Sequence, residues 1–167
     1  MQTLFALFSL ESAEAAAAEL EQRLGTEALN LIVQETVKDR LSNSRAQPAV
    51  PGARTAAPVA APTLTQLLSR KRSVLLAETG PVYAVHALAG HILGMAQSGA
   101  PTKLAGSLKV ALEEYGVATH YAEAYATGVQ YGYVLLFAEL PDDQVLEISE
   151  RCETRGGREV FAFQRLE

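Results

Sequence analysis

The chain has 167 residues, of which 49% are hydrophobic and 20% charged, with a formal net charge of -5. These proportions exclude a disordered chain, and the length fits one domain. The negative balance disfavours a broad nucleic-acid or anionic-membrane surface, because both gather positive charge on one face.

The first predicted element is a strand over Thr3–Phe8, a short apolar run. A helix follows, capped by Ser9 or Ser12, with Ala13, Ala16, Ala17, Leu20 and Leu24 on one face. Gly25 suits the position just past its end. Ala28–Gln34 reads as a second strand with Leu29, Leu31 and Val33 on one side. Residues 41–63 hold Pro48, Pro51, Pro58 and Pro62 among alanines and small polar residues, and read as an extended linker. Leu64, Leu67 and Leu68 then mark the apolar side of a helix beginning near Thr63. The basic run Arg70-Lys71-Arg72 reads as its solvated end.

Val82–Ala96 carries no formal charge when its histidines are neutral, and it is read as a helix. On that helix Gly80, Ala84, Ala87, His91, Gly94 and Ser98 form one stripe, small except at His91. Such a stripe lets a second backbone approach closely. Thr102–Tyr115 is the next helix, with Leu104, Leu108, Ala111, Leu112 and Tyr115 inward and Gly116 at its end. Thr119 caps a short helix that runs to about Thr127 and stops at Gly128. Tyr131–Leu140 is a strand. A helix opens at Pro141-Asp142-Asp143, with Val145, Ile148 and Cys152 on one side, and Gly156-Gly157 turns into a last strand over Glu159–Arg165.

Both ends therefore read β-α-β, and the expected fold is α+β. It is a ferredoxin-like, four-stranded antiparallel sheet with helices on one face and a helical insert between strands two and three. The parts are the first half at 1–40, the linker at 41–63, the insert at 64–128 and the second half at 129–167, all within one domain.

Three stretches carry a resemblance: TLFALFSLESAEAAAAELEQRLG at the start, ETGPVYAVHALAGHILGMA in the middle, and LEEYGVATHYAEAYATGVQYGYVLLFAEL. In these the chain resembles the general-stress-protein-17M-like family, whose members join a ferredoxin-like module to a glycine-rich helical insert. The resemblance implies a bacterial, stress-associated protein and supplies no catalytic residues. His86 and His91 depart from the family's small-residue insert.

No complete chemical motif is present. His86 and His91 are five residues apart, which puts them on different helical faces. His120 and Glu123 have interacting spacing, but one pair does not make a metal site. Glu113, Glu114 and Glu123 could serve acid–base chemistry if burial raised a pKa, but without a positioned partner they are read as facing water. The single cysteine, Cys152, excludes an intramolecular disulfide and a cysteine-based zinc site, and reads as buried and structural. A reducing compartment suits it, the opening residues lack the basic start of a signal peptide, and a cytoplasmic location is expected. Tyr115, Tyr121, Tyr125, Tyr131 and Tyr133 crowd one region, as a packed layer or as a pocket lining.

The expected function is that of a non-enzymatic, stress-associated interaction or assembly module, a homo-oligomer in the form of a dimer, with an unknown protein as a further partner, and with no catalytic residues, metal or cofactor. An alternative is a small-molecule-binding protein or enzyme with a cleft formed by His91, His120, Glu123, Tyr121 and Tyr125. A weaker alternative is membrane association through residues 74–100, against which Gly80, Pro81, His86, His91 and Pro101 count.

Overall fold

A computed structural model describes residues 1–35, 37, 62–69, 71–76, 80–97 and 107–164. The chain is α+β. Its strands are β1 (Gln2–Phe8), β2 (Asn30–Gln34), β3 (Lys71–Leu76), β4 (Gly80–Val85), β5 (Val134–Leu140) and β6 (Arg158–Phe163). They form one sheet in the order β3-β4-β2-β5-β1-β6. Every neighbouring pair is antiparallel. The terminal segments are hydrogen-bonded neighbours, as expected, with Phe5 opposite Phe137 on one side and opposite Phe161 on the other.

Alternation along the strands builds two apolar layers. Leu4, Ala6 and Phe8 face one layer with Leu31, Val33, Leu136 and Ala138. Phe5 and Leu7 face the other with Ile32, Leu135 and Phe137. A strand side chain points to the opposite face at each step, so a central strand with both faces covered reads as an unbroken apolar run. Burying each large side chain contributes roughly 1.5–3 kcal/mol.

The first layer is covered by α1 (Leu10–Leu24), α2 (Pro62–Leu68) and α6 (Val145–Thr154). Ser9 is the residue that caps α1, its hydroxyl accepting from the Ser12 amide at 3.3 Å. Leu64, Leu67 and Leu68 are buried on α2. The α2 N-terminus is gripped by Glu14, whose carboxylate accepts from the Thr63 amide at 2.7 Å and the Leu64 amide at 3.1 Å. That grip satisfies two amides that no helical turn serves.

The second layer is covered by α3 (Ala87–Gln97), α4 (Leu108–Tyr115) and α5 (Thr119–Gln130). Ser107 caps α4 through the Val110 amide at 3.2 Å, so this helix starts later than the sequence pattern suggests. Helix α5 runs through Gly128 to Gln130 instead of stopping at Gly128. Gly128 is spent on packing: a Cβ there would stand 2.7 Å from Leu7 Cδ1. The stop falls at Gly132, where φ is +90° and the Tyr133 amide returns to the Gly128 carbonyl at 2.9 Å.

Several expectations are corrected. The sheet has six strands instead of four. Helices lie on both faces instead of one. The segment 64–128 is not purely helical, because β3 and β4 extend the sheet beyond β2. Lys71 and Arg72 open β3, so they do not end α2. Gly80 and Ala84 lie on β4, whereas Ala87 and Gly94 lie on α3, so these four share no helical stripe. The break is His86, at φ +73°, which turns the chain from strand to helix. The last helix begins at Val145, after a turn in which the Gln144 amide donates to the Pro141 carbonyl at 2.9 Å. Residues 41–61 of the expected linker, together with Ser98 and Leu104, lie outside the described residues. No helix among the described residues is long and apolar enough to cross a membrane, and the described parts of 74–100, residues 74–76 and 80–97, contribute to β3, β4 and α3.

Candidate functional site

The pairing of β1 with β6 contains an irregularity. Leu7 pairs with Arg158 and Phe5 with Phe161, so Glu159 and Val160 together oppose Ala6. This is a β-bulge, and its first residue, Glu159, has φ +51°. A side chain in that region costs on the order of 1–3 kcal/mol, and such strain gathers at functional sites. The bulge is held by Tyr125 on α5, whose hydroxyl donates to the Glu159 carbonyl at 2.5 Å. Tyr125 is fully buried, and burial holds its phenol well above the ordinary 10.0, with Tyr121 and Glu159 adding to the effect. It therefore remains a donor.

Beside this bulge lies a groove of about 610 Å³ between α5 and the start of β6. Helix α5 presents His120, Glu123 and Thr127 to it, and its end presents Tyr131 and Tyr133. Strand β6 presents Arg158 and Glu159. Leu7, Ala124 and Gly128 complete the lining. The close seat of Gly128 on Leu7 sets how near α5 comes to the sheet. Tyr131 is 78% exposed, an unusual placement for a large aromatic side chain.

An aromatic file continues along the outer strand. The rings of Tyr121 and Phe161 stack with centroids 4.1 Å apart, and Phe161 meets Phe163 at 5.7 Å. Phe163 in turn stacks on buried Phe5 at 6.1 Å. Tyr121, Phe161 and Phe163 are each partly exposed. Among the described residues β6 has one strand neighbour, β1, and its other edge is unpaired.

Of the expected cleft residues, His120, Tyr121, Glu123 and Tyr125 share α5, with ring centroids 5.3 Å apart for His120 and Tyr121 and 6.1 Å for Tyr121 and Tyr125, and His91 stands apart. His120 and Glu123 line the α5–β6 groove. Tyr121 and Tyr125 belong to the same helix but pack inward, one on Phe161 and the other under the bulge. His91 is on α3 and lines a separate cavity of about 510 Å³ with Glu27, Asn30 and Glu139. Asn30 caps α3 there, its Oδ1 accepting from the Leu88 and Ala89 amides at 3.1 and 3.2 Å. The His86 ring donates from Nδ1 to the Leu29 carbonyl at 2.6 Å, a structural tie between the residue that follows β4 and the one that precedes β2. Arg158, Glu159 and Thr127 were not singled out from the sequence; only the bulge brings the first two beside α5. Tyr131 and Tyr133 were part of the tyrosine cluster, and the end of α5 turns both toward the groove.

Cys152 is buried on α6 against the first layer. Burial pushes its thiol up to about 12, helped by the charges of Glu19 and Glu153, which makes it a poor nucleophile at neutral pH. On the surface above it, Glu19 of α1 accepts from Arg151 Nη1 at 2.5 Å and from Arg155 Nε at 2.7 Å. Glu147 extends this network to Arg151 and to Arg23. Helices α1 and α6 are thereby tied across their outer faces. Among the described residues no group of three or more His, Cys, Asp or Glu side chains is placed to hold a metal ion.

Comparison of the chain with models of protein families, with curated proteins and with solved structures gives no match.

Proposed function

We propose that the protein is a non-enzymatic interaction module that assembles through the free edge of β6, as a homodimer, and that it serves the bacterial stress-associated role its family resemblance implies. We read β2-β5-β1-β6 as a ferredoxin-like core of two β-α-β halves, with the segment between β2 and β5 as its insert. The observation that carries the reading is the outer strand β6, unpaired on one side among the described residues and flanked by Tyr121, Phe161 and Phe163, three aromatic rings left partly exposed in one file. Unpaired strand edges template further pairing, and aromatic side chains are enriched at interface centres. A second copy's β6 answers both needs at once, because two-fold pairing brings the same file against itself. A buried free thiol at Cys152 suits the cytoplasm as the place of action.

Light scattering coupled to size-exclusion chromatography tests this reading. The expected result is a dimer mass at micromolar concentration, and a monomer mass for Tyr121→Glu with an unchanged circular dichroism spectrum. A monomer mass for the parent protein across that range overturns it.

A further inference from the structure

The α5–β6 groove holds charges of both signs that form no ion pair among the described residues. Arg158 rests with its guanidinium 5.9 Å from the Tyr133 ring centroid and Nη1 3.4 Å from the Tyr133 hydroxyl. Neither Arg158 nor the carboxylates of Glu123 and Glu159 make an ion pair among the described residues, although all three line one space. Tyr131 and Tyr133 add two rings, and Leu7, Ala124 and Gly128 an apolar patch. At about 610 Å³ the groove lies within the range of small-molecule sites.

We propose that this groove binds a free α-amino acid with an apolar or aromatic side chain. The ligand carboxylate meets Arg158, in the planar paired geometry a guanidinium favours. Its ammonium meets Glu123 and Glu159, and its side chain lies on the tyrosines and the apolar patch. A purely anionic ligand would face two carboxylates, and a purely cationic one would face the guanidinium. Only a molecule carrying both charges satisfies both sets. The strained bulge has a part in this arrangement: it sets Arg158 and Glu159 beside α5, where regular pairing would not accommodate the extra residue. The site uses none of Tyr121, Phe161 or Phe163, so the outcome of the mass measurement leaves it standing.

Isothermal titration calorimetry with three probes tests the proposal: L-phenylalanine, L-phenylalaninamide, which lacks the carboxylate, and 3-phenylpropionate, which lacks the ammonium. L-phenylalanine should bind, and each single-charge probe should bind at least about tenfold more weakly. Arg158→Gln should weaken L-phenylalanine about tenfold and leave the amide unchanged. Glu123→Gln should weaken L-phenylalanine and leave 3-phenylpropionate unchanged. Both residues are exposed, so the variants keep the fold. Absence of L-phenylalanine binding at millimolar concentration, equal binding of all three probes, or indifference to both substitutions each overturns the proposal.

Discussion

Tyr125→Phe isolates the contact that fastens the bulge, because it removes one oxygen and leaves the buried ring in place. The Tyr125 hydroxyl donates to the Glu159 carbonyl at 2.5 Å, and the ring stacks on Phe5 with centroids 5.5 Å apart. A neutral hydrogen bond of this kind contributes about 1 kcal/mol net, so the variant should lose that much at pH 7. In a domain of this size the loss lowers Tm by about 2–4 °C. Alkaline pH changes the sign. The folded phenol is held above its ordinary 10.0, so Tyr125 supports the fold fully below pH 10 and loses that support as pH rises toward the folded value. By pH 11 ionisation of this tyrosine in the unfolded chain destabilises the parent by about 1.4 kcal/mol, a loss the phenylalanine variant escapes. The two stability curves should therefore cross between about pH 10 and 11. Urea unfolding followed by circular dichroism at pH 7, 9, 10 and 11 measures both. A stability difference that stays constant across this range would refute the burial argument, and a variant as stable as the parent at pH 7 would refute the clamp.

Two further substitutions probe what surrounds the site. Gly128→Ala would stabilise an open helix by about 1 kcal/mol, but here the new Cβ meets Leu7 Cδ1 at 2.7 Å, and overpacking costs about 1–3 kcal/mol; thermal melting should show a lower Tm, and a higher one would mean that α5 stands off from the sheet. Glu19 is held below the ordinary carboxyl value of 4.5 by its bonds to Arg155 and then Arg151, so its contribution is present above pH 4.5 and fades as pH falls through the depressed folded value. Glu19→Gln should flatten the acid limb of stability and reduce its dependence on salt, as read from urea midpoints between pH 2 and 6; identical acid limbs would remove the network from the account.

The halves of the sheet were legible because each β-α-β carries its own punctuation. Ser9 and Gly25 bracket α1, and Gly156-Gly157 separates α6 from β6. Val82–Val85 was misread for a definite reason. It is buried on both faces, Tyr83 and Val85 toward one layer and Val82 and Ala84 toward the other, so it shows no polar beat that would reveal a period of two. Its run into Ala87–Gln97 without a glycine or proline hid the turn, which falls instead on His86 in a conformation that residue rarely takes. His120 and Glu123 were found because one helix sets their spacing. Their partners Arg158 and Glu159 were not, because they arrive through a strand register shifted by one residue, and no local pattern announces that shift.

That shift also explains why the groove and the outer edge occupy one side of the molecule without sharing residues. Up to the first residue of the bulge, β6 offers Arg158 and Glu159 to the space beside α5. Beyond it, the strand resumes regular pairing and sends Phe161 and Phe163 into the aromatic layer, with Val160 and Ala162 packed against the opposite one. A strand without the extra residue would carry one alternation along its whole length, and its charged start would be tied in phase to its aromatic end. The Tyr125 hydroxyl is the fastening between the two stretches, since it donates to the carbonyl of Glu159, the first residue of the bulge. Loosening it should therefore disturb amino-acid binding and edge assembly together, whereas Arg158→Gln touches only the first and Tyr121→Glu only the second.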